Sequence, residues 1–161
     1  MYVDGTFDLL HSGHITLLKK ARASVICKKL VVGVMSDAAV ASYKRIPIQN
    51  SIERGAILKE LKIVDEVIID APFEDEFDSE FLDTHKIDFV IYGGDPKLGM
   101  AALGRWQHHY REAIHRNIMK PVDYTVGYST SDIIERIHNS LHDYTFKTPT
   151  NGGVLSDNGN S

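Results

Sequence analysis

The chain has 161 residues, enough for one domain with its own core. It is 43% hydrophobic and 25% charged with a net charge of −4, so no global basic footprint marks a nucleic-acid partner. Cys27 is the single cysteine, which rules out an intrachain disulfide, and no apolar run is long enough to span a bilayer. A cytoplasmic protein with no nucleic-acid and no membrane partner is expected.

In chain order, apolar runs alternate with helical patterns. Strands are predicted at Tyr2–Val3, Leu30–Met35, Glu66–Asp70, Phe89–Tyr92 and near Val122–Thr125. Helices are predicted over 13–25, 51–62, 78–86, 104–117 and 131–142. Asn50 with Glu53 three residues on reads as a capping pair ahead of Ile57, Leu58 and Leu61. Ile133, Ile134, Ile137 and Leu141 form an apolar stripe expected to pack in the core. Alternating βα units imply an α/β fold: a Rossmann-like, doubly wound, parallel five-stranded sheet with helices on both faces. Ligands in such sheets bind at the carboxyl ends of the strands. The loops Asp4–His14, Ser36–Lys44, Gly93–Gly104 and Gly127–Ser131 should therefore gather on one edge. Residues 1–146 are expected to form the domain, and 147–161, with Thr, Pro, Gly, Asn and Ser throughout, a disordered tail.

The chemistry concentrates in Gly5-Thr6-Phe7-Asp8-Leu9-Leu10-His11-Ser12-Gly13-His14, between the first strand and the first helix. A helix N-terminus offers unpaired N–H groups and the positive end of the macrodipole, which suits phosphate. Gly13 is expected to let backbone approach an oxygen-rich ligand. His11 and His14 share a helix face and can both donate to one phosphoryl group. Asp8 is expected to organise the turn. Ser129-Thr130-Ser131 ahead of the last helix reads as a second anion site, or as a plain N-cap, or both. Asp95 reads as an acceptor for a base amino group or ribose hydroxyl, or equally as a turn former before Pro96.

The string from Asp4 to His14 resembles the HxGH motif of the nucleotidyltransferase superfamily. It is similar to the cytidylyltransferases that activate glycerol-3-phosphate, phosphocholine and phosphoethanolamine. The likeness continues in order through Val32–Asp37, Tyr43-Lys44, Ser51–Arg54, Val64–Val67, Gly94-Asp95 and Gly127–Asp132. It implies transfer of CMP from CTP to a small phosphorylated alcohol, with loss of pyrophosphate. His11, His14 and Lys44 would be catalytic. Gly5, Thr6, Phe7, Gly13, Arg54, Asp95, Thr125, Ser129, Thr130 and Ser131 would bind CTP, with Arg54 on the β/γ end. Mg²⁺ or another divalent cation would accompany CTP, with no protein metal ligand assigned. The resemblance also implies a homodimer through Val64–Val67.

Asp4 matches an acidic position of the choline and ethanolamine types, where it contacts the cationic head group, and Phe73 falls where those types place an aromatic. Both are therefore acceptor-binding candidates, and Trp106 and Tyr110 either extend that wall or pack on the sheet. Phosphoethanolamine or phosphocholine is the favoured acceptor, with glycerol-3-phosphate or a hydroxyalkyl-phosphonate as the alternative. Tyr124 stands where many members have arginine, and a phenol cannot replace a guanidinium fork on phosphate. A nucleotide-binding module without turnover is the alternative from another class.

Overall fold

Short runs rich in Val, Ile and Tyr fold, among the described residues, into five strands: β1 (Tyr2–Gly5), β2 (Val31–Met35), β3 (Glu66–Ala71), β4 (Val90–Gly93) and β5 (Met119–Val122). The computed structural model describes residues 1–94, 96–123 and 128–141. Asp95, Tyr124, Thr125 and the 147–161 tail lie outside the described residues. All the strand pairs are parallel and the sheet order is β3-β2-β1-β4-β5. The order reverses between β1 and β4, which makes the carboxyl ends of those strands the switch point where ligands bind.

Among the described residues, six α-helices connect or follow the strands: α1 (Ser12–Ser24), α2 (Asp37–Tyr43), α3 (Ser51–Lys59), α4 (Ser79–Thr84), α5 (Arg111–His115) and α6 (Thr130–Asn139). Successive strand residues point to opposite faces, so the sheet feeds two apolar clusters. Val3, Val32 and Ile91 join Leu18 and Ala21 of α1 and Leu58 of α3. Tyr2, Val31 and Val90 join Leu82 of α4 and Ala113 of α5. Leu18 and Leu58 are fully buried, each contributing about 2 kcal/mol by the area removed from water.

The structure shifts several expected elements. β5 is described at Met119–Val122, so it begins before the strand expected near Val122–Thr125 and shares Val122 with it. Pro121 disguised it, yet proline is tolerated there because β5 is an edge strand. The helix expected over 104–117 divides into a 3₁₀ segment, Pro96–Gln107, and the short α5. Gly104, at the start of the expected span, has φ +50°, outside the α-helical region. The predicted loop Ser36–Lys44 is mostly α2: Ser36 caps it by accepting from the Ala39 amide, and Asp37-Ala38-Ala39 favours helix. In α6, Ile133 and Ile134 are half-buried, but Ile137, and Leu141 just beyond the helix, are about half exposed rather than in the core.

Candidate active site at the carboxyl end of the first strand

The turn from β1 to α1 is held by one buried carboxylate. Asp8 is 1% exposed and accepts from the amides of Ile48 and Gln49, both at 3.0 Å, and from Arg45 Nη2 at 2.8 Å. Burial alone would raise its pKa. The two amides and the Arg45 guanidinium outweigh it and hold the carboxyl below its ordinary value. Gln49 Oε1 in turn accepts from the Leu9 amide at 2.9 Å. The turn is thus tied to the segment that follows Lys44. Phe7 and Leu9 sit at φ +52° and +47°, strain of order 1 kcal/mol each that these anchors sustain.

His11 and His14 stack, with ring centroids 3.7 Å apart. His11 caps α1 by accepting the Gly13 amide on Nδ1 at 3.2 Å, and His14 Nδ1 accepts the His11 amide at 3.3 Å. A ring nitrogen that accepts carries no proton, so Nε2–H is the donor on each ring. No described residue bonds to either Nε2. Burial, then the His11 ring and Lys44, push the His14 pKa down to about 4. Burial also lowers His11, with Lys44 in the same direction and Asp132 opposing. The pair is therefore neutral at pH 7: two preorganised N–H donors rather than two cations.

Gly13 also serves a neighbour within the protein. A Cβ there would meet the Tyr128 carbonyl at 2.9 Å and the His11 ring at 3.0 Å. Its missing side chain lets the start of α6 pack against the histidine turn. Ser129 caps α6, with Asp132 completing a reciprocal capping box. Thr130 is buried and gives its hydroxyl proton to the Asp8 carbonyl at 2.7 Å, so its side chain braces the turn. Ser131 is exposed. His11, Gly13, His14, Lys44, Ser129 and Thr130 line one cleft, and Gly5, Thr6 and Phe7 line the adjoining cavity with His14 and Lys44. The Phe7 ring is 3% exposed beneath His14, so it supports that ring from the core.

Lys44 is the exposed C-cap of α2 and shares both cavities with His14. Arg54 departs from its expected place on the β/γ-phosphates, and also from a surface pair with Glu53. It is 1% exposed and its guanidinium makes four hydrogen bonds within the protein. Nε donates to the Gln49 carbonyl at 2.9 Å and Nη1 to the Thr6 carbonyl at 2.5 Å. Nη2 donates to the Met35 carbonyl at 2.9 Å and to Asp37 Oδ1 at 2.5 Å. Glu53 is occupied with its cap on Asn50. Five donors in a rigid fork let one arginine join three chain segments.

Asp4, next to last in β1, has a carboxylate side chain 1% exposed. His109 Nε2 lies 2.9 Å from its Oδ2, and the Tyr110 hydroxyl donates to its Oδ1. Phe73 stacks on Tyr43, with Trp106 edge-on to both rings. Asp4 and Phe73 line neighbouring cavities that share Tyr43 and Trp106. The Arg105 guanidinium lies 4.9 Å from the Tyr43 ring centroid and 5.3 Å from that of Trp106, so these rings already accommodate a cation. Sequence reasoning missed Asp37, Gln49 and His109. Each meets its partner only across the fold, and no local spacing signals it.

Residues 2–136 match the family model described as cytidylyltransferase-like. An ethanolamine-phosphate cytidylyltransferase of Arabidopsis thaliana is 37% identical over 139 residues, covering 85% of this chain and 32% of that protein. Choline-phosphate cytidylyltransferase 2 of the same plant is 35% identical over 152 residues, covering 94% of this chain and 49% of its own length. The chain thus spans a third to a half of the length of these curated relatives. The crystal structure of the lipopolysaccharide core biosynthesis protein from Thermoplasma volcanium GSS1 superposes with a TM-score of 0.57 at 29% identity, covering 77% of this chain and 93% of that one. A parallel sheet, a histidine pair at its switch point and a family match over residues 2–136 agree, and the chain belongs to the cytidylyltransferase-like family.

Proposed function

We propose that the protein transfers CMP from CTP to a small phosphorylated amino alcohol, phosphoethanolamine or phosphocholine, and releases pyrophosphate. The observation that carries the reading is the stacked His11–His14 pair, with both Nδ1 atoms engaged and both Nε2–H groups left as donors in a cleft shared with Lys44. An acceptor phosphate oxygen attacks the α-phosphorus of CTP. A P–O bond forms there, the bond to the β-phosphate bridging oxygen breaks, and pyrophosphate departs with that electron pair. The protein supplies position and charge stabilisation. The two Nε2–H donors would meet the charge developing on the α-phosphoryl oxygens, and Lys44 would add a mobile positive charge. The amides at the start of α6 and Ser129 would hold the outer phosphates.

Among the described residues no group of three His, Cys, Asp or Glu could hold a metal ion. The divalent cation, Mg²⁺ in this reading, arrives on the triphosphate as part of the substrate. Its chemistry is to neutralise phosphate charge. The acceptor class rests on Asp4 beside Tyr43, Trp106 and Tyr110, a carboxylate with aromatic walls that suits an ammonium group. We further propose a homodimer through the half-buried Val64 and Val67 near the edge strand β3, and a cytoplasmic setting on the strength of the single Cys27. No described helix is long and apolar enough to cross a membrane.

The test is pyrophosphate release with CTP and a panel of phosphoethanolamine, phosphocholine, glycerol-3-phosphate and a hydroxyalkyl-phosphonate. Preference for an amine-bearing acceptor supports the reading. Preference for glycerol-3-phosphate or the phosphonate moves the acceptor class, and CTP binding without pyrophosphate release removes the activity.

A further inference from the structure

The Asp4 carboxylate is buried, yet among the described residues no lysine or arginine is ion-paired with it. Its ion-pair geometry among the described residues is to His109 alone, and both side chains are 1% exposed. The protonation pattern of His109 follows from its second bond. Its Nδ1 accepts the Glu74 amide at 3.0 Å, so Nδ1 carries no proton and Nε2–H donates to Asp4 Oδ2. The Tyr110 hydroxyl donates to the other oxygen. Two neutral donors therefore hold the carboxylate without neutralising it. Its negative charge acts on its surroundings: after burial, Asp4 is the next cause raising the Tyr2 and Tyr110 hydroxyls.

The imidazole itself cannot turn away. It packs against Phe77, Phe73 and Trp106 with centroids 4.9, 5.4 and 6.0 Å distant, and the Glu74 amide fixes its rotation. We infer that His109, with Tyr110, is a positioning residue that holds Asp4 as an oriented, uncompensated anion, so that selection for a cationic acceptor depends on a histidine remote in sequence from the β1 turn. The inference rests on the proposed amino-alcohol acceptor and assigns the groups that make that selection. A buried carboxylate that lost one donor would turn away from the cavity, and the cation would lose its oriented partner.

The experiment measures binding of phosphoethanolamine, glycerol-3-phosphate and CTP by calorimetry to the wild-type protein and to His109→Phe, His109→Gln and Tyr110→Phe. Pyrophosphate release is followed in parallel. His109→Phe keeps a ring among its aromatic neighbours but removes the donor. It should weaken phosphoethanolamine at least ~10-fold while CTP and glycerol-3-phosphate change less than ~2-fold, the scale of one hydrogen bond to a charged group. His109→Gln, whose amide can donate to Asp4, should recover most of that loss, which a merely structural role would not predict. Should His109→Phe fail to fold, Tyr110→Phe removes a single oxygen from the same carboxylate and must show the same acceptor-selective loss. Unchanged phosphoethanolamine affinity, or equal losses for both acceptors, overturns the inference. Histidine-dependent phosphoethanolamine binding without pyrophosphate release would leave it standing and sink the proposed activity. Glycerol-3-phosphate turnover with no phosphoethanolamine binding would overturn the inference together with the amino-alcohol acceptor, and leave CMP transfer itself standing.

Discussion

Arg54 Nη1 donates to the carbonyl of Thr6 at 2.5 Å, joining the interior of α3 to the loop that leads into the histidine turn. The same guanidinium holds carbonyls of Gln49 and Met35 and the carboxylate of Asp37. Arg54 therefore fixes the relative positions of β2, the segment after Lys44 and the β1 loop. A residue expected to touch phosphate instead sets the geometry of those that would.

Arg54→Met should destabilise the fold by about 3 kcal/mol, because buried carbonyls lose their donor. Urea unfolding would read this as a lower midpoint at unchanged slope. A variant of wild-type stability whose only defect is weak CTP binding would return Arg54 to the phosphates.

His14→Ala should lower turnover at least ~10²-fold, the scale of losing one preorganised donor to developing charge. His11→Ala should lose a similar factor and also some helix stability, since His11 caps α1. The check is single-turnover CMP transfer at saturating CTP. Near-normal rates in the His14 variant would remove the paired-donor mechanism.

Lys44→Ala should raise the CTP requirement about 10-fold or more, since it removes an exposed charge from both cavities lined by His14. Its position at the C-cap of α2 makes little stability loss expected. Kinetics with CTP varied at fixed acceptor would settle the matter, and an unchanged KM for CTP would take Lys44 out of the site.

Stability should depend on pH through His14. Its folded pKa, about 4, lies below the ordinary value of 6.5. Between those values the unfolded chain binds a proton that the folded chain does not, so stability falls as pH drops from 6.5 towards 4. The slope for one such group reaches about 1.4 kcal/mol per pH unit. His11, lowered in the same sense, adds to it. Urea midpoints should be lower at pH 5 than at pH 7, and less so in His14→Gln. A direct NMR titration of the His14 ring near 6.5 would contradict the neutral pair.

The order of the strands was legible in the sequence because periodicity is local: a run such as Val31–Met35 announces itself whatever surrounds it, whereas the short α2, expected as a loop, did not. So was the histidine turn, since His11, Gly13 and His14 act within one helical turn. What the tertiary structure decided was which polar groups would be used up by the protein itself. Arg54 and Thr130 carry phosphate-compatible chemistry in the sequence, yet meet carbonyls 48 and 122 positions away and are spent on them. Asp4 became a buried anion only because His109 and Tyr110 reach it across 105 and 106 positions. A buried donor or acceptor must be satisfied wherever the fold brings a partner, and that partner is set by the packing of distant elements rather than by neighbouring residues.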